Sequence, residues 1–264
     1  MKFVRRVRKI GFDTFYRVLT LLLILLLTST VFYNHSRIEK IEKQEDVILP
    51  YDAFAKIEIF LTLEREVDGI IQTAELSSMG SGSVIDILEG RSIILTANHV
   101  CNPFEGAAQL QPLLTGPPEK HIEVTGYYGN TYYAEVLYND KDYDLCLLEV
   151  EGVWAVPIPA ARYPAEVGEK IYNMAAPTGF FAPGMVPLLE GFNSGNVGQR
   201  GYEDTVYTIP TKGGSSGSPV LNSEGEVIGV IHSAIAGVEN IAIACTWDEL
   251  DSFLFRYNSL FKGL

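Results

Sequence analysis

The 264-residue sequence predicts an all-β body that ends in one helix. Three observations predict it. From Ala55 onward, short apolar or alternating runs are split by Gly, Pro, Asn and Asp, and many short strands with such turn signals make a sandwich or a barrel. A stretch rich in Pro and Ala, residues 151–169, separates these runs into two halves. Near the end the period changes. Trp247, Leu250, Phe253, Leu254 and Tyr257 recur at helical spacing.

Each element follows from these signals. The first half offers strands at 56–63, 82–88, 92–96, 122–128, 133–138 and 145–150. The second offers 170–175, 196–200, 206–209, 219–221, 227–232 and 241–245. Residues 248–260 form the helix, whose apolar stripe reads as contact with the strands. No internal repeat is visible.

The N-terminal part has a different character. Residues 18–36 carry no formal charge, and 19–27 are nearly all leucine. That length lies between a signal-peptide core and a full membrane span. No small-x-small cleavage site follows the leucines, and Phe15, Tyr16, Phe32 and Tyr33 flank them where interfacial aromatics belong. The segment is therefore read as a transmembrane signal-anchor, with Arg17 snorkelling to the interface. Residues 1–17 hold six basic side chains against Asp13, which keeps them cytoplasmic and places the rest outside. The organisation expected is a basic cytoplasmic segment 1–17, an anchor 18–36, a polar stalk 37–50 and a body 51–264. Asn34-His35-Ser36 matches a glycosylation acceptor, a common tripeptide.

The chain has a net charge of −13 although its first 17 residues are basic. So acidic a body repels nucleic acid and offers phosphates no basic stripe. The four histidines, at 35, 99, 121 and 232, show no paired-ligand spacing, so no metal site is expected. The three cysteines, Cys101, Cys146 and Cys245, form no CxxC pair. An odd, sparse set is no disulfide framework. They read as mostly buried small apolar residues; at most one pair bridges, and which pair stays open.

Three segments carry chemistry: Leu95-Thr96-Ala97-Asn98-His99-Val100, Asp142-Tyr143-Asp144-Leu145-Cys146-Leu147, and Gly213-Gly214-Ser215-Ser216-Gly217-Ser218-Pro219. A serine hydroxyl needs a base within hydrogen-bond reach, and that base needs a group to fix its tautomer. A developing oxyanion needs donors already in place, and a glycine-rich turn can present backbone N–H groups closely. Taken singly, His99 reads as a core histidine and 213–217 as a hairpin loop. Asp142 and Asp140 rival Asp144, and Ser215 and Ser218 rival Ser216.

Together these blocks resemble the chymotrypsin-like serine proteases. G-S-S-G-S-P resembles their nucleophile motif, T-A-N-H-V their histidine motif and D-L-C-L-L their aspartate motif, in the order His, Asp, Ser. Gly80-Ser81-Gly82-Ser83-Val84-Ile85 resembles the strand before the histidine in bacterial members. The resemblance covers about residues 55–260. It implies two six-stranded antiparallel β-barrels with a C-terminal helix, and a serine endopeptidase acting on protein or peptide substrates. Ser216 would be the nucleophile, His99 the base and Asp144 its orienting partner. The N–H groups of Gly214 and Ser216 would form the oxyanion hole.

Departures from the family pattern also inform. Ser215 stands where trypsin-like zymogens place an Asp, so activation by a newly freed N-terminus is not expected. Pro210 stands where trypsin has its acidic pocket base, which argues against a strong Arg/Lys preference. Thr211 and His232 resemble pocket residues of bacterial glutamyl endopeptidases, but His232 falls one residue late. Alternation would turn it to the other face unless a bulge restores the register. The alternative function is a catalytically inactive, protease-like module that binds peptides or proteins. A scaffold oligomerising through its stalk ranks last, because 37–46 is too short for sustained heptads. A further peptide-binding domain of the HtrA kind is not expected after residue 260. The sequence assigns no oligomeric state.

Overall fold

The computed structural model describes residues 17, 19–31, 49–103, 112–199, 202–235, 237–238 and 240–263. The chain divides into two units, 1–47 and 48–264.

In the first unit, residues 19–31 form helix α1. Its leucines are exposed. The hydroxyls of Thr28, Ser29 and Thr30 donate to carbonyls of Leu25, Leu26 and Leu27, so these polar side chains are satisfied within the helix. Among the described residues, no helix is long and apolar enough to cross a membrane. The rest of the expected anchor (18 and 32–36), the basic residues 1–16 and stalk residues 37–48 lie outside the described residues, as does Asn34-His35-Ser36.

The second unit contains two closed antiparallel barrels. The first is built from β1 (Phe54–Val67), β2 (Ile70–Leu88), β3 (Arg91–Ala97), β4 (Glu119–Gly126), β5 (Thr131–Asp140) and β6 (Leu145–Glu151). Its strand order is β1-β2-β3-β6-β5-β4. The second is built from β7 (Lys170–Met174), β8 (Leu188–Gln199), β9 (Tyr202–Tyr207), β10 (Pro219–Leu221), β11 (Val227–Ala234) and β12 (Ala242–Cys245). Its order is β10-β11-β12-β9-β8-β7. All twelve predicted runs correspond to these strands in order, and 151–169 joins the barrels. Closure pairs the edge strands of each sheet with one another.

The clearest difference lies in the first hairpin. β1 and β2 continue beyond the predicted 56–63 and 82–88, pairing as far as Val67 and Ile70. Asp68 and Gly69 both have positive φ, 54° and 74°. That is the two-residue turn whose twist suits a hairpin, and Asp-Gly is its usual sequence. The polar run Glu64-Arg65-Glu66 hid the strand, because this arm is exposed on both faces and has no alternation to show.

The strands beneath the site are buried on both faces. From Ser92 to Ala97 every residue of β3 is buried, as are Leu145, Cys146, Leu147 and Leu148 of β6. Ile171, Tyr207, Val220, Ile228, Ile231 and Ala244 form the core of the second barrel. Helix α3 (Trp247–Phe261) starts with a capping box between Thr246 and Glu249. It lies on the first barrel, stacking Phe253 on Tyr138 and donating Tyr257 Oη to Asp86. The predicted stripe is thus a packing face.

Candidate active site

β3 delivers His99. The strand ends at Ala97, and one helical turn follows, α2 (Asn98–Cys101). Asn98 is buried, and its Oδ1 accepts from the amides of Asn102 (2.9 Å) and Asn139 (2.8 Å). Lys120 Nζ donates to the carbonyl of Cys101 at 3.0 Å and to Asn102 Oδ1 at 2.9 Å. A cation there suits the carbonyl end of the turn. These ties hold the histidine turn from both sides.

β6 delivers Asp144, which precedes its first residue. Ala97 and Leu145 are opposite each other across the β3–β6 ladder, so His99 and Asp144 leave the same end of one strand pair. The Asn98 N–H donates to the Asp144 carbonyl at 3.0 Å. The His99 N–H donates to Asp144 Oδ1 at 2.8 Å, and His99 Nδ1 lies 2.7 Å from Asp144 Oδ2. An ionised carboxylate only accepts, so Nδ1 carries the proton and Nε2 is left as the acceptor. Asp140, one rival aspartate, is used otherwise: its Oδ1 accepts from the N–H groups of Asp142 and Tyr143, and its Oδ2 pairs with Arg256. Asp142, the other rival, is an exposed turn residue.

The serine turn comes from the second barrel and lands on the first. The Ser81 N–H donates to the Ser216 carbonyl at 2.8 Å, and Ser81 Oγ donates to the Gly214 carbonyl at 2.8 Å. Ser81 Oγ in turn accepts from the Ala176 N–H. At Gly217 a Cβ would meet Thr96 Oγ1 at 2.0 Å and the Ser81 carbonyl at 2.2 Å. At Gly80 it would meet the Val100 methyls at 2.7 Å and the Ser216 carbonyl at 3.0 Å. The glycines are therefore required by close approach, and they seat the serine turn against the strand end that carries His99. Ser215 and Ser218 are buried, whereas Ser216 is partly exposed. Ser218 Oγ donates to the Ser215 carbonyl.

Two donors stand out in this turn. The N–H groups of Ser215, Gly217 and Ser218 donate to carbonyls of Lys212, Ile231 and Ser215. Among the described residues, the N–H groups of Gly214 and Ser216 donate to no protein acceptor. The Gly213 carbonyl accepts from Thr178 N–H at 2.5 Å. In a trans peptide this points the Gly214 N–H away from that turn.

Thr211 donates through Oγ1 to the Ile241 carbonyl at 3.3 Å. His232 sits in β11 where the register shifts between Ile231 and Ser233, so it is the extra residue of a bulge. Its Nε2 lies 3.0 Å from Asp204 Oδ1 on β9. An open cleft of about 470 Å³ lies beside His99 and Asp144, bounded further by Ser78, Met79, Asn102 and Lys141. Among the described residues, no His, Cys, Asp and Glu group is placed to hold a metal.

Sequence reasoning missed three parts of this site. In the sequence Ser81 is visible only as part of a motif. Asn98 is visible only as a neighbour of His99, although its side-chain oxygen organises the histidine turn. The Cys101–Cys146 bridge was one of the pairings left open.

Comparison with known proteins agrees with this fold. Residues 80–230 match the family model of the trypsin-like peptidase domain. A glutamyl endopeptidase of Staphylococcus epidermidis is 28% identical over 174 residues, covering 62% of this chain and 57% of that protein. The serine protease Do-like HtrB of Bacillus subtilis is 26% identical over 219 residues, covering 72% of this chain and 44% of that protein. The chain thus spans about half the length of these curated relatives. Among solved structures, the HtrA-type protease AlgW with a decapeptide superposes with a TM-score of 0.62 at 16% identity, over 81% of this chain and 64% of that one. The Rv3671c protease from M. tuberculosis superposes at 0.56 and 18% identity, over 78% and 81%; at such identities the likeness shows the fold. With most of its second unit inside the matched region, the chain belongs to the trypsin-like peptidase domain family.

Proposed function

We propose that this chain is a serine endopeptidase with His99, Asp144 and Ser216 as its triad. The observation that carries the reading is the two-point attachment of His99 to Asp144 beside a turn whose Gly214 and Ser216 N–H groups are unengaged. Ser216 Oγ attacks the scissile carbonyl carbon while His99 Nε2 takes its proton. The Gly214 and Ser216 N–H groups hold the oxyanion as it forms. The C–N bond then breaks, His99 returns the proton to the leaving amine, and water releases the acyl group by the same steps in reverse order. No cofactor enters this chemistry.

Thr211 and His232 are proposed to line the pocket for the P1 side chain. The bulge at His232 supplies the register shift that its position required. A peptide library with Glu, Gln, Leu and Lys at P1 reads this. Preference for Glu or Gln supports His232 in the pocket, and cleavage only after apolar residues removes it.

The body is proposed to lie outside the cytoplasmic membrane, with 18–36 as anchor and 1–17 on the cytoplasmic side. The charge asymmetry supports this, and so does a buried disulfide, since cytosolic thiols are mostly kept reduced.

The deciding experiment is fluorophosphonate labelling of the full chain beside Ser216→Ala. Wild type labels and the variant does not. A well-folded wild type that fails to label overturns the enzyme reading in favour of a peptide-binding module.

A further inference from the structure

Cys101 and Cys146 are bridged, with Cα atoms 6.6 Å apart. Cys101 stands two residues after His99, and Cys146 two residues after Asp144. Both are fully buried. The bridge therefore joins the far end of the histidine turn to the strand that Asp144 opens. On the same strand end, hydrogen bonds cross from the N–H groups of Asn98 and His99 to Asp144. Asp144 itself has φ 51°, a left-handed backbone that a non-glycine residue keeps only where its surroundings over-determine it.

We propose that the Cys101–Cys146 bridge is a positioning device for the His99–Asp144 pair, fixing the separation of the two turns so that Nδ1 stays on the carboxylate and Nε2 stays available to Ser216. This rests on the triad reading above. The bridge does not touch substrate; it acts through the backbone of α2 and the start of β6. Without it, the Asp144 turn is freed to relax toward ordinary backbone angles, and the imidazole loses its second anchor. The third thiol does not compete for the pairing. Cys245 is buried on β12, and burial pushes its thiol up to about 12, which leaves almost no thiolate to exchange. Reducing the bridge takes two electrons and two protons. Dithiothreitol supplies both and becomes its cyclic disulfide, leaving two thiols.

The test compares the full-length wild type with the Cys101→Ala/Cys146→Ala double variant. Fluorophosphonate labelling rates are followed across probe concentration, and folded fraction is checked by circular dichroism. An ångström of misplacement costs on the order of a hundredfold, so the folded variant should label between about tenfold and a hundredfold more slowly at saturating probe. The loss should fall on that maximal rate and leave the half-saturating probe concentration unchanged, because the bridge moves the His99–Asp144 pair and not the binding surface. A purely structural bridge lowers the folded fraction without lowering the maximal rate of the folded protein. A folded variant with the wild-type maximal rate overturns the proposal and leaves the triad reading intact. If the variant does not fold, the wild type is reduced with dithiothreitol, its thiols are counted by alkylation and mass, and labelling is repeated before and after reoxidation. A slower rate that recovers on reoxidation supports the proposal. An unchanged rate, or unfolding on reduction, assigns the bridge a structural role alone and overturns it. A wild type that never labels overturns the triad reading itself.

Discussion

At the scale of single residues, the His99–Asp144 pair is held by giving each carboxylate oxygen its own donor. Asp144 accepts from the His99 backbone with one oxygen and from the His99 ring with the other. Its carboxylate thus sets both where the ring is and which nitrogen is protonated. Asp144→Asn can present its amide to the ring, which favours the wrong tautomer. The variant should fold normally and lose roughly 10⁴-fold in kcat, measured on a peptide substrate. Cys245 offers a test in which burial is the leading cause. Its thiol is held neutral in the folded state, with burial pushing it from an ordinary value of 9.0 up to about 12. The folded form therefore keeps its proton through a range in which the unfolded form loses it, and stability falls as pH rises from about 9 toward 12. Denaturant titrations should show that decline shallower in Cys245→Ala. Iodoacetamide should modify Cys245 at pH 8 only after unfolding.

At the scale of elements, the site is a meeting of strand ends. β3 and β6 supply His99 and Asp144 from one ladder, and the loop before β10 supplies Ser216. The 80–83 part of β2 is small-residue strand because the serine turn lies on it, as the contacts at Gly80 and Gly217 show. Helix α3 fastens the far side. Its first turn carries the reciprocal Thr246–Glu249 cap, and Trp247 Nε1 donates to the Ala161 carbonyl in the connector between the barrels. Thr246→Ala removes the cap oxygen and should cost about 1 kcal/mol. In a domain of this size that lowers Tm by about 2–4 °C, readable by calorimetry, with the labelling rate of the folded protein unchanged. The bridge also has a stabilising role besides the positional one. It closes a separation of 45 residues, and by the loop-entropy model removing it should cost about 4 kcal/mol.

At the scale of the whole molecule, two closed barrels explain how a chain with few helices holds a rigid site. Each barrel buries its own core, and the proposed triad is divided between them: two residues from the first, one from the second. The strand pattern, the barrel-linking stretch 151–169 and the final helix were all legible in the sequence, because alternation, turn residues and helical period are local signals. The site motifs were legible for the same reason, since each is a contiguous block. The exposed arm of the first hairpin was not, although Asp68-Gly69 marked its turn. Its residues bury no face, so no apolar alternation marks the arm itself. By itself the sequence determined the fold class, the family resemblance and the candidate residues, all of which depend on neighbours along the chain. Only the tertiary structure decided which aspartate meets His99, which of three serines is partly exposed, that Cys101 pairs with Cys146, and that a bulge carries His232. Each of those depends on distances between segments tens of residues apart, and these are set by barrel closure and register rather than by local preference.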